Sequence, residues 1–597
     1  MELTIFLALL VAALVSSPFG RGLGEQTATF AATALGALAA LLAWVVCIGT
    51  LGDDAGPRSV FIAPWIESGT LASEIAFEVD GVSSLSVAIA LTIAVFAQLY
   101  GATLSTPKTL RRVGDCRAMR LVSSTALLAS AAFVVIFASG TLLFGAGLIA
   151  FTVASALILD FNVRSAGAGR AAARGLLVCL TGALLSLLAA GTLFAAGDAV
   201  SFEVLTSLAG DMPARPVTLA LGLAGLAFTA PVPFLPWALK ASEAPGALAA
   251  LLSTCAGLVA VTVFLRAQPF LEPDPVVLEG LIAVTAILMP LASLAQQSAR
   301  ARLAAAAFAP VALAVFSALN GNAGAALILL AGHGVALLLM GAALDHVANH
   351  AGEAGAGAEH RGAQAAALGG AISATGFGVP VLLGPLALVL PGYLGQAGAL
   401  ASAEAFYWPL VGALVLHALA LWAIYLDAFH GRGKKKRDDA DTDAEPILSR
   451  VTSGGLLALL IAFGVVLGTI TGLPGSGPLP GAPLLAGVAG FLLALLFHRV
   501  PGARGAAPLR PVFEGPIFLP EIFRMGLETA LRSLGRLVSD RLDKSLLEAV
   551  FDPLSARLLP GLDRLSGQFN ASRAAPWVLG AAVAAALLVT LVTLAGG

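Results

Sequence analysis

The feature that most restricts this chain is a repeated one. Apolar runs of about twenty residues, enough to cross roughly 30 Å of hydrocarbon, alternate with short charged or Gly/Pro-bearing connectors. Such runs stand at 3–19, 29–51, 82–103, 121–140, 141–161, 175–196, 217–239, 246–266, 276–294, 302–319, 323–344, 366–392, 404–428, 451–473, 481–498 and 576–595. That makes about sixteen spans, some short or tilted. Only 11% of the 597 residues are charged, against about 25% in an ordinary soluble domain, which excludes a soluble enzyme. The 66 glycines and 32 prolines are scattered through the apolar runs, where membrane helices tolerate them. The fold class expected is an all-α polytopic membrane protein.

Positive charge tests the span count, because Lys and Arg collect on loops facing the cytoplasm. With the N-terminus outside, the inner loops hold Arg21; Lys108, Arg111, Arg112, Arg117 and Arg120; Arg164, Arg170 and Arg174; Lys240; Arg300 and Arg302; Arg361; and Lys434 to Arg437. The outer loops are acidic, with Asp53, Asp54, Glu67, Glu74, Glu78 and Asp80 after span 2 and Asp198, Glu203 and Asp211 after span 6. One miscounted span would invert every later loop. The first 19 residues lack Lys and Arg, so they read as a retained first span rather than a cleaved leader. An even count leaves both termini on the outer side of a bacterial inner membrane.

Other chemistry is narrowed by what is missing. Formal charge is −2, which offers no basic surface to nucleic acid. The four cysteines, Cys47, Cys116, Cys179 and Cys255, are far apart with no C-x-x-C or Cys/His cluster, so no zinc, iron–sulfur or disulfide framework is implied. No strand-to-helix G-x-G-x-x-G, P-loop or H-E-x-x-H occurs. No cofactor, metal or catalytic residue is therefore expected on this chain.

The expected organisation has seven parts: a three-span region over 1–120, a first repeat over 121–267 (spans 4–8), a second over 276–429 (spans 9–13), a charged inner linker over 430–450, spans 14 and 15 over 451–500, a polar region over 501–575 and the last span over 576–597. Within 501–575, Leu527, Leu531, Leu534, Val538, Leu542, Leu546 and Val550 recur every three or four residues, opposite Arg524, Glu528, Arg532, Arg536, Asp540 and Lys544. That period predicts an amphipathic helix along the membrane surface, either a generic interfacial helix or a lateral strut gripping partner subunits. Residues 351–369 are Gly/Ala-rich and read as a loop. Span 7 carries Pro231, Pro233 and Pro236, and span 12 carries Pro380 and Pro385. These are the fourth helices of two five-helix repeats, which an odd helix count makes inverted. Broken helices at matching places point to an ion or substrate path.

At this point the chain resembles the antiporter-like membrane subunits of NADH:quinone oxidoreductase (complex I) and of Mrp cation/proton antiporters, and most of all the complex I subunit with a lateral helix. The outer loop Pro64-Trp65-Ile66-Glu67-Ser68-Gly69, then Phe77-Glu78-Val79-Asp80-Gly81-Val82-Ser83, is similar to the family's W-I-x-x-G, short strand and D-x-L-S. Pro233-Phe234, Trp237, Glu243-Ala244-Pro245 and Arg266 fall on its P-F-H-x-W-L-P-x-A-M-x-A-P…R pattern. The span layout with a surface helix before the last span is the third likeness. The resemblance implies a membrane subunit working with other membrane subunits in a proton- or cation-translocating complex.

The departures concern the family's ion path. Its span 7 lysine falls at Phe228, its P-F-H histidine at Leu235, its span 8 histidine at Ser253 and its span 5 glutamate near Ile149. The acid after W-L-P falls at Lys240, the span 11 lysine position near Val335 is apolar, and window 366–392 has no ionisable residue. Groups that change charge inside lipid are costly and persist where they work, so their exchange for apolar side chains predicts a degenerate path and a structural or coupling role. The central parts of spans 4–13 keep only His333 and His417 as candidate ion-path residues. Each is weighed separately, as a neutral imidazole bonded to a backbone carbonyl or as a proton site. Asp80, Asp160, Lys240, Glu243, Asp345 and His346, at predicted span ends, read as solvated caps or interfacial anchors. Two alternatives are a subunit of an Mrp-like or inorganic-carbon-uptake complex without quinone, and an independent secondary transporter.

Overall fold

A computed structural model describes residues 1–17, 25–51, 56–69, 71–104, 117–162, 166–208, 214–229, 237, 241, 244–271, 276–296, 298–351, 364, 367–368, 371, 391–401, 403, 405–430 and 481–499. The polar region 501–575, the spans expected at 451–473 and 576–595, most of 366–392, and the linker beyond His430 lie outside these residues. So do Leu235, Lys240 and Glu243.

The chain is a multi-pass helical membrane protein. Its helices are α1 (Glu2–Val15), α2 (Glu25–Leu51), α3 (Gly81–Leu104), α4 (Arg117–Phe137), α5 (Thr141–Leu159), α6 (Ala166–Gly197), α7 (Phe202–Ser207), α8 (Ala214–Thr229), α9 (Gly246–Ala267), α10 (Val276–Ala295), α11 (Ala299–Ala306), α12 (Phe308–Leu319), α13 (Ala323–Ala351), α14 (Pro391–Ala401), α15 (Tyr407–Phe429) and α16 (Gly481–Arg499). Among the described residues, 10 helical stretches are long and apolar enough to cross a membrane, with α11 and α12 together forming one of them, Ala299–Leu319. The last turn of α11 and the first of α12 are separated at Ala307. Pro310, which has no N–H, cannot bond the carbonyl of Ala306 four residues back. The short helix α14 occupies a stretch that hydropathy assigns to a connector.

The all-α expectation needs one amendment. Between α2 and α3 lie two antiparallel strands, β1 (Arg58–Ser68) and β2 (Leu71–Val79), paired from Arg58↔Val79 to Ser68↔Leu71. Gly69, with φ +59°, makes the turn, a left-handed conformation that glycine adopts without steric cost. Register breaks flank Ile62 and Trp65, and Pro64 is tolerated because β1 is an edge strand. The family resemblance had implied one short strand here. After β2, Asp80 and Ser83 cap α3 reciprocally: Ser83 N–H donates to Asp80 Oδ1 at 2.6 Å and Asp80 N–H to Ser83 Oγ at 2.9 Å. This bears out Asp80 as a cap.

Helix directions follow the expected threading. Along α9 and α13, Gly246 meets Gly341, Thr254 meets Gly334 and Gly257 meets Leu330; one number rises as the other falls, so the two helices are antiparallel, as spans 8 and 11 should be. Along α15 and α16, Gly490 meets Ala418, Phe491 meets Trp422 and His498 meets Asp427, a parallel pairing expected of spans 13 and 15. The packed interior is one continuous cluster of buried apolar side chains running from α1 to α16.

Charged side chains tie the helices together at the two ends. At the hairpin end, Arg266 Nη1 bonds Glu78 Oε2 at 2.7 Å and its guanidinium lies 5.1 Å from the Phe202 ring, while Arg58 pairs with Glu2. At the opposite end Arg300 Nε meets Asp345 Oδ1 at 2.7 Å, Arg302 pairs with Asp427, and His498 Nδ1 lies 3.4 Å from Asp427. Asp345 and Asp160, expected as solvated caps or interfacial anchors, are not solvated: they are 1% and 4% exposed. Asp345 is drawn inward because Arg300 and the N–H of Gly246, 2.7 Å from Oδ2, replace its water.

Candidate functional site

The apolar part of the expected path is a packed interior. Phe228, on the last turns of α8, is fully buried and meets the Phe151 ring of α5 edge-on at 5.9 Å. Ser253 is buried on α9 and spends its hydroxyl on the carbonyl of Ala250 at 2.9 Å. Ile149 is partly buried against the core and Val335 is fully buried. A hydroxyl already donating within its own helix carries no exchangeable charge, so Ile149, Phe228, Ser253 and Val335 offer no titrating side chain at these positions that the resemblance singles out.

The described part of α8 runs to Thr229, two residues before Pro231, and carbonyls near that point are served by side chains: Thr229 Oγ1 donates to Leu226 O at 3.0 Å and Trp237 Nε1 to Ala227 O at 3.1 Å. The residue four beyond Ala227 is Pro231, which has no N–H to give. Trp237, fully buried and edge-on to Phe308 at 5.0 Å, supplies it instead. Its place in the quoted motif gave no hint of that role; the i+4 proline was the available signal.

The second half differs. His333 on α13 and His417 on α15 are each 2% exposed, and their ring centroids lie 4.9 Å apart at an interplanar angle of 48°. None of their four ring nitrogens has a hydrogen-bond partner among the described residues. A buried donor or acceptor left so costs about 1–3 kcal/mol, and natural interiors rarely leave four together. The backbone-carbonyl bond taken as the ordinary reading of His333 is absent among the described residues. His333 stands one residue from the midpoint of the span Ala323–Asp345, and His417 one residue from the midpoint of Tyr407–Phe429. The two candidates, weighed separately from sequence, thus form one pair at mid-membrane depth. Equal depth was the signal that could have joined them; which faces the helices turn to each other was not readable.

Helix α13 lies mainly against α9, α14 and α12, and α15 mainly against α16, α10 and α11; α11, α12 and α14 touch both, and Arg300 and Arg302 of α11 pair with Asp345 of α13 and Asp427 of α15. Asp345 lies twelve residues along α13 and Asp427 ten along α15, about 18 Å and 15 Å at 1.5 Å per residue, and both are already ion-paired.

No curated protein matches the chain significantly in sequence. Residues 138–352 match the family described as NADH:quinone oxidoreductase/Mrp antiporter, TM. Among solved structures, a chain of respiratory complex I from Thermus thermophilus superposes with a TM-score of 0.62 at 20% identity, covering 83% of this chain and 100% of that one. A chain of the Mrp complex from Dietzia sp. DQ12-45-1b gives 0.64 at 17% identity, covering 90% of this chain and 62% of that longer one. A chain of the membrane-bound sulfane sulfur reductase, an archaeal respiratory membrane complex, gives 0.64 at 14% identity, over 79% of this chain and 96% of that one. The family likeness thus lies in residues 138–352, and the fold follows membrane subunits of such complexes well beyond that stretch.

Proposed function

We propose that this chain is a membrane subunit of a proton- or cation-translocating complex of the complex I/Mrp type, in which its own first-repeat path is closed and its role is structural or coupling. The observation that carries this reading is the match over 138–352 joined to the packed Phe228–Phe151 contact, at a position where the resemblance puts a lysine. A proton cannot hop through phenylalanine, and no described carboxylate stands beside it. His333 and His417 are the remaining candidates for ion-path residues, in the second repeat. The chain holds no cofactor; its partners are other membrane subunits, gripped by the amphipathic region 501–575, and the bilayer. It sits in a bacterial inner membrane with both termini outside.

Purification from the native membrane in mild detergent, followed by identification of the partners and reconstitution, tests this. Companion subunits bearing flavin and iron–sulfur centres support the redox member of the class. A partner set of membrane subunits alone supports the Mrp-like member, which the 90% coverage by the Dietzia fold favours equally. The purified chain carrying proton flux by itself in proteoliposomes overturns the closed path, and a stable lone monomer with no partners overturns the subunit role.

A further inference from the structure

We infer that His333 and His417 act as one site that binds a single proton between their rings, and that the ion handled in the second half of this chain is H⁺ rather than an alkali cation. The inference rests on the subunit reading above and names its ion. A neutral imidazole has one N–H and one lone pair, so two neutral rings can satisfy at most two of their four polar atoms through each other. Adding a proton leaves that count at two but makes the bond between the rings charge-assisted and stronger. The imidazolium donates to the facing lone pair, and a charge-assisted N–H···N bond of about 3 Å fits a centroid separation of 4.9 Å once the ring radii are counted. A small rotation from the observed 48° tilt aligns the nitrogens.

A second proton is excluded, because two cations at this distance in a dry interior repel strongly. The pair therefore titrates as a unit. Sodium or potassium would need several oxygen ligands, and the pair offers only nitrogen.

Among the described residues the other titratable group at this depth is the buried thiol of Cys255, next to Thr254, which meets Gly334. Helix α12 has no titratable residue, and α9 contributes Cys255 and, near its end, Arg266, which is bonded to Glu78. Helices α3 and α14 carry Tyr100 and Tyr393, α10 carries Glu279 in its first turn, and α11 carries Arg300 and Arg302, both ion-paired. On α13 there remain Asp345, His346 and His350, and on α15 Tyr407, Tyr425 and Asp427, with His430 just beyond; α16 has His498 and Arg499 at its end. None of these lies within two helical turns of His333 or His417 along its own helix; the nearest is Tyr425, eight residues past His417.

The test uses the full chain in lipid nanodiscs, as wild type, H333Q, H417Q and the double variant. Proton uptake is measured between alkaline and acid pH with infrared difference spectra recorded in parallel. The expected result is a loss of one proton per chain in H333Q, in H417Q and in the double variant alike. A broad shared-proton absorption should be present only in wild type and indifferent to exchange of sodium for potassium. A loss of two protons in the double variant means independent sites, and no loss in any variant means structural histidines; either overturns the proposal. Because a glutamine variant could misfold, the wild-type infrared band is decisive by itself, and its absence across the pH range also overturns it. A lone chain that shows the band and also conducts removes the closed-path reading while leaving the pair; a silent chain without the band does the reverse.

Discussion

Asp345 Oδ2 accepts the backbone N–H of Gly246 at 2.7 Å, so the last turns of α13 cap the first turn of α9. The N-cap residue itself, Pro245, makes no side-chain cap. The carboxylate also meets Arg300 at 2.7 Å. D345A is expected to lower stability by about 1–3 kcal/mol, since a buried N–H is orphaned while Arg300, more than a third exposed, regains water. D345N keeps an oxygen for Gly246 and loses only the ion pair, so it should fall between wild type and D345A. Thermal unfolding of the purified chain in detergent reads both; equal loss in the two variants would assign the effect to charge alone.

Beside this cap the two helices touch backbone to backbone. A Cβ on Gly341 would lie 2.5 Å from the Gly246 carbonyl carbon and oxygen, and one on Gly191 would meet nothing within 4 Å. G341A should therefore force α13 from α9, costing about 1–3 kcal/mol as overpacking does, and G191A should leave the melting temperature where it is or raise it slightly through helix propensity. The paired measurement separates contact from a general intolerance of alanine.

The spans were legible because lipid imposes one requirement everywhere, an apolar length with internally satisfied backbone, and α2 to α6 fall within a few residues of the runs marked from sequence apart from the start of α6, nine residues early. The charge ladder likewise placed Arg300 and Arg302 near helix ends. Depth in a helix can be counted, but azimuth cannot when every face is apolar; His333 and His417 were each found, and their pairing was not. The burial of Asp345 was hidden for the same reason, because Arg300 and Gly246 approach it from helices 45 and 99 positions away in sequence.

Phe228 offers a direct check on the closed half. Leucine there should cost less than about 1.5 kcal/mol, as a core substitution between apolar side chains. Lysine, with Phe151 as its ring neighbour, faces an insertion penalty of about 2.5–3.5 kcal/mol at a span centre. F228K should therefore express poorly and melt well below F228L. Wild-type yield and melting temperature in F228K would mean that water or an acid reaches this position and that the half is open.

Trp237 closes the turn that proline leaves open, and removing its single donor isolates that effect. In W237F the ring contact with Phe308 can persist, but the Ala227 carbonyl loses the indole N–H and Pro231 has none to substitute. The expected loss is about 1–3 kcal/mol for an unsatisfied buried acceptor. A second change distinguishes this from lost packing. In P231A the backbone regains an N–H four residues beyond Ala227, so W237F should cost markedly less in that background than in the wild type. Melting temperatures of the four chains in one detergent give the coupling directly, and additive losses would show that the indole contributes through its bulk and not through its hydrogen bond.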